Sequence, residues 1–67
     1  MRFVTVAEFR PPEAVRQLEE WRHRHEDALA VIPADEVVFD VGRAVEGGDF
    51  ARVRVAEHHA AALSEGA

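Results

Sequence analysis

The side chains with chemical reach in this chain are four histidines, one tryptophan and the arginines of its last strand-like run. His23 and His25 stand two residues apart in a stretch of helical periodicity. They point about 200° apart around a helix and cannot grip one metal ion, which needs three- or four-residue spacing. His25 lies on the apolar stripe and has two readings: a boundary histidine satisfied by one hydrogen bond, or an acid/base or ligand group lining a pocket between helix and sheet. His58 and His59 are adjacent at the end of a strand pattern and point to opposite faces if the strand continues. They read as a solvated pair, with a metal site built between subunits by symmetry as the minority alternative. Trp21 reads as a core or interface anchor rather than a cofactor platform. Asp40, Glu46, Arg52 and Arg54 read as a cross-strand charge ladder, the alternative being a polar pocket. The candidate ligand or interface residues are therefore Trp21, His25, Arg52 and Arg54. No catalytic residue is assigned: Gly47-Gly48 opens no helix and has no lysine after it, and nucleophile-elbow, metalloprotease and calcium-loop patterns are absent.

These residues depend on a hairpin over residues 37–57 for their positions. Two runs rich in β-branched and aromatic residues flank Gly47-Gly48, a strong local hairpin signal. A loop of Gly47-Gly48-Asp49 sets Val45 opposite Ala51, Arg43 opposite Val53 and Val41 opposite Val55, so that one face is mostly apolar. The other face carries Val38, Asp40, Gly42, Ala44, Glu46, Phe50, Arg52 and Arg54, with Arg54 diagonal to Asp40 and Arg52 to Glu46. Upstream, residues 2–9 read as a strand apolar on parts of both faces, with a partner on each side or buried in a subunit contact, and Pro11-Pro12 stops it. Pro12 suits the first helical position, and Glu13 suits the positive end of the helix dipole. Val15, Leu18, Trp21, Ala28, Leu29 and Ile32 form the stripe of one helix running to about residue 31, and Pro33 ends it. Its outer face pairs Glu13 with Arg16, Arg16 with Glu20, Glu20 with Arg24, Glu19 with Arg22 and Arg22 with Glu26. Residues 58–67 read as a short helical turn or tail after a single domain over 1–57.

Sixty-seven residues without cysteine build a thin core, since a chain this short buries only ~60% of its unfolded surface. Self-association is the expected source of the missing stability. A net charge of −5 argues against nucleic acid or an anionic membrane as partner, because both are bound by clustered cations. No apolar run approaches a membrane span, and Met1-Arg2-Phe3-Val4 is a strand pattern rather than a signal peptide, so a cytoplasmic protein is expected.

The order strand-helix-strand-strand and the segment Val45-Glu46-Gly47-Gly48-Asp49-Phe50-Ala51-Arg52-Val53-Arg54-Val55 resemble the dodecins, as does the helix opening Pro12-Glu13-Ala14-Val15. The resemblance covers about half of the chain. It implies a hollow twelve-subunit shell and flavin as cofactor. The flavin contacts do not carry over: Asp35-Glu36 stands where that family places a stacking tryptophan, and Arg54 where it uses a glutamine.

The expected fold is α+β: a β-α-β-β chain with a three-stranded antiparallel or mixed sheet in order 1-3-2 and one helix on one face, half of a ferredoxin-like plait. The expected function is a non-enzymatic homo-oligomeric binding or assembly module, joined through a sheet face or edge, with a small-molecule ligand among its partners. Two alternatives stand beside it. One is a plait-type enzyme using His25 as acid/base in a pocket closed by Trp21, with Arg52 or Arg54 orienting an anionic substrate. The other is an accessory subunit of a larger complex.

Overall fold

The computed structural model describes residues 1–44 and 48–63. Three strands, β1 (Phe3–Phe9), β2 (Val37–Ala44) and β3 (Gly48–Ala56), form one sheet in the order β1-β3-β2. Both outer strands run antiparallel to β3. Between β1 and β2 the chain crosses the sheet through α1 (Ala14–Arg24) and α2 (Glu26–Ala30), and after β3 a 3₁₀ turn (Glu57–His59) leads into α3 (Ala60–Leu63). This is the α+β fold and the strand order that the sequence predicts.

Alternation along β3 assigns the two faces. Ala51, Val53 and Val55 are buried and meet Ala14, Leu18 and Trp21 of α1, with Ile32 and Leu63 closing the same cluster. Thus the helical stripe uses Ala14 in place of Val15, which is 38% exposed. Leu63 is wholly buried, so the turns that follow β3 contribute to the core.

The expected single helix is broken at His25. There the backbone N–H still bonds Trp21 O at 3.0 Å, and the ring Nδ1 lies 2.9 Å from the same oxygen. Two donors thus converge on one carbonyl where the helix is interrupted, and His25, at φ −113° and ψ 19°, serves as C-cap of α1 and N-cap of α2. Helix α1 itself starts at Ala14, two residues after Pro12, with Glu13 at the cap. The Glu13 carboxylate accepts from Arg16 Nε at 2.6 Å, and this hydrogen bond, reinforced by the guanidinium charge, holds its pKa below the ordinary carboxylate value. Arg16 also reaches Glu20 at 2.7 Å, as expected, whereas Arg22 lies over the Phe39 ring, 4.5 Å from its centroid.

The hairpin register differs from the expected one. Val41 faces Ala51 rather than Val55, a displacement of four residues, and Gly48 and Asp49 belong to β3, opposite Ala44 and Arg43. Because four is even, each side chain keeps its predicted face. Two cross-strand matches favour the observed pairing: Asp40 stands directly opposite Arg52, and Phe50 lies against Gly42, where a Cβ would come within 2.5 Å of the ring. Gly48 has φ +109°, a conformation that favours glycine, so it lets β3 begin where side-chain-bearing residues would be strained. Residues 45–47 and the expected Arg52–Glu46 diagonal lie outside the described residues.

Candidate functional site

The sheet face turned away from α1 carries the ladder. Across the three strands, Asp40 faces Arg52 and Arg52 faces Glu8, an acid-base-acid row, with Val38, Arg54 and Thr5 as the next row. Arg54 Nε donates to Asp40 Oδ2 at 2.8 Å, the predicted diagonal contact, and Arg52 Nε lies 3.8 Å from the same oxygen with no hydrogen-bond partner among the described residues. These three side chains are 32–42% exposed, so their attraction is largely screened, of order ~0.2–1 kcal/mol per pair. Phe50, Thr5 and Glu8 on this face are exposed, and Phe3 and Val38 are half-buried. Each arginine has a carboxylate beside it, so the face is a mixed-charge surface and not a bare anion cradle.

Trp21 and His25 lie on the helix-covered side. Trp21 is 1% exposed within the core, and the His25 imidazole stacks on it with ring centroids 4.4 Å apart at 24°. A carbonyl oxygen only accepts, so the 2.9 Å contact assigns the hydrogen to His25 Nδ1. A buried indole with a neighbouring ring already stacked on it has no face to offer a flavin-sized ligand. The sheet stands between His25 and Arg52 or Arg54, and the pocket imagined for the enzyme alternative does not bring these groups together. A cleft of about 90 Å³ adjoins Arg52, between Glu8, Arg10 and Phe50. A larger trough of about 730 Å³ runs along Val15, Glu19 and His23 on the outer flank of α1. Its size comes from long side chains splayed on a solvent-facing helix, and it includes none of the four candidate residues.

A third group of side chains gathers at the end of the sheet. The strand stops at Ala56, and instead of the opposite faces that a continued strand would give His58 and His59, the 3₁₀ turn sends both rings the same way, with centroids 4.1 Å apart. Both meet Glu36, the last residue of the 3₁₀ turn before β2: His59 Nε2 lies 2.7 Å and His58 Nε2 3.2 Å from Glu36 Oε1. Glu36 and His59 are about one-fifth exposed at the side chain, and His58 is 63% exposed. The pairing Val37–Val55 explains the convergence, since it leaves Glu36 level with Ala56, two residues before His58. Sequence reasoning missed Glu36, because the displaced register would have set it level with Ala60. The signal was the hairpin pairing itself, which a match of Asp40 to Arg52 would have fixed.

Comparison with protein-family models, with curated proteins and with solved structures yields no match. Among the described residues, no helix is long and apolar enough to cross a membrane.

Proposed function

We propose that this chain is a small, non-catalytic binding or assembly module of the cytoplasm that works as a homo-oligomer, joining copies through the sheet face opposite α1. The observation that carries the reading is the one-sided core. Among the described residues, eight of the nine buried apolar ones form a single cluster on the helix side. The opposite face, with Phe50, Phe3 and Val38 around the charges, lies open. A second copy fits this face better than a nucleic acid does, because the face carries both signs and the chain has net charge −5. A two-fold axis parallel to the strands, between β2 and β3, sets Asp40 of one copy over Arg52 of the other, and Gly42 over Phe50. Such an isologous contact repeats each favourable pair twice. Two sheets stacked this way form the aligned sandwich that twisted sheets prefer.

The test is the native mass of the untagged protein by light scattering over a range of concentrations, with an absorbance spectrum of the same peak. A mass that is a multiple of 7.5 kDa is expected. F50E and R52E are expected to lower it while the far-ultraviolet dichroism stays unchanged. A folded 7.5 kDa species at every concentration would overturn the proposal in favour of a heterologous partner. Absorbance in a flavin's bands would overturn the exclusion of flavin contacts.

A further inference from the structure

We propose that Glu36, His58 and His59 form a binding site for one divalent transition-metal ion of the zinc type, built within a single chain. Each residue supplies one ligand atom, and the three atoms lie within 4.8 Å of one another. Two imidazole nitrogens and one carboxylate oxygen suit a borderline cation such as Zn²⁺. They do not suit Ca²⁺ or Mg²⁺, which seek oxygen ligands. Around a tetrahedral zinc with ligands at ~2.0–2.2 Å, ligand atoms stand ~3.3 Å apart. The His58–Glu36 separation of 3.2 Å already meets that spacing, and the His59–Glu36 contact of 2.7 Å need open by only about half an ångström.

The scaffold holds the set in place. The turn carrying Glu36 is fixed by the bond from Glu36 N–H to Pro33 O at 2.9 Å and by β2, which starts at the next residue. The turn carrying the histidines is fixed at its start by the bond from Glu57 N–H to Arg2 O at 2.8 Å, and after its end by the wholly buried Leu63. Two neighbouring strands therefore deliver three ligands from short, pinned turns. Three protein ligands leave a fourth position, and the exposure of His58 turns it toward water, the arrangement of an open rather than a closed zinc site. The site does not depend on the pairing of sheet faces.

The test is calorimetric titration of the untagged full-length chain with ZnCl₂ at fixed pH, with CaCl₂ and MgCl₂ in parallel. One zinc ion per chain and no calcium or magnesium binding are expected. H58A, H59A and E36Q should each weaken zinc binding tenfold or more, while H23A, which removes an exposed histidine beside Glu26, leaves it unchanged. His58 is exposed enough that H58A keeps its fold, which dichroism checks, so that variant decides the matter even where E36Q or H59A is unstable. No zinc binding by the wild type, equal binding by wild type and H58A, or loss of binding in H23A would overturn the proposal.

Discussion

Replacing Gly42 by alanine tests the hairpin register and the packing of the open face together. An ideal Cβ on Gly42 falls 2.5 Å from Cζ and 2.8 Å from Cε1 of Phe50, against a carbon–carbon optimum of ~3.5–4.0 Å. The ring must therefore swing away by about 1 Å or more. It has room to do so, because Phe50 is 38% exposed. Full burial of a phenylalanine is worth ~1.5–3 kcal/mol, so losing roughly half of this ring's contacts costs ~1–1.5 kcal/mol. Against that, alanine gains ~0.5–1 kcal/mol over glycine in strand interior, chiefly through the unfolded chain. G42A alone should then be neutral to destabilising by about 1 kcal/mol, from the difference of these terms. In an F50A background the clash is gone and the same change should stabilise by ~0.5–1 kcal/mol. The double-mutant cycle should report a coupling of ~1–1.5 kcal/mol, read from urea denaturation followed by Trp21 fluorescence at one fixed protein concentration. Additive effects, within ~0.3–0.5 kcal/mol, would refute the Gly42–Phe50 contact and with it the observed register.

Three further outcomes follow from the same structure. W21A should cost ~3–5 kcal/mol, a large part of the ~3–10 kcal/mol available to a domain of this size, and thermal unfolding by dichroism should show little folded protein at 37 °C. R16A should return the Glu13 carboxyl to its ordinary pKa in a carbon-detected NMR titration, because Arg16 supplies the hydrogen bond and charge that lower it. A pKa depressed by folding stabilises above the unfolded value and is lost as pH falls through the folded one. The wild-type helix should therefore lose this contribution on acidification below the ordinary carboxylate range, and R16A should show no such loss from this group. Zinc at a hundred times its dissociation constant should stabilise the fold by ~2.7 kcal/mol and raise the melting temperature by ~10–20 °C, with H58A, at tenfold weaker binding or worse, cutting the shift to about half or less.

Legibility followed the range of the interactions. Strand and helix types, the order β1-β3-β2 and the Arg54–Asp40 contact are set by local periodicity and by face parity, and both can be read along the chain. The register is decided by side-chain matches across the hairpin, Asp40 with Arg52 and Gly42 with Phe50, while the Gly47-Gly48 pair invited a turn centred too late. At the break at His25 its ring and its own N–H share one carbonyl, a contact that periodicity treats as a mere gap in the stripe. The Glu36–His58–His59 cluster joins residues more than twenty positions apart, and it became visible only once the register was correct.

The irregularity in β1 bears on how far such a sheet can grow. Pairing of β1 with β3 shifts between Thr5 and Ala7, leaving Val6 as an extra residue, and Pro11-Pro12 follow directly beyond Arg10. The two outer strands are thus unlike as templates. β2 presents eight residues in unbroken register with β3, whereas β1 is kinked at its middle and denied donors beyond its end. Addition of copies head to tail, β2 of one beside β1 of the next, would draw on both edges and would run on as a filament wherever its rotation did not close into a ring. The bulge makes β1 the poorer of the two edges for such a joint, and deleting Val6 would even out its register with β3 while Pro11-Pro12 still limit its length.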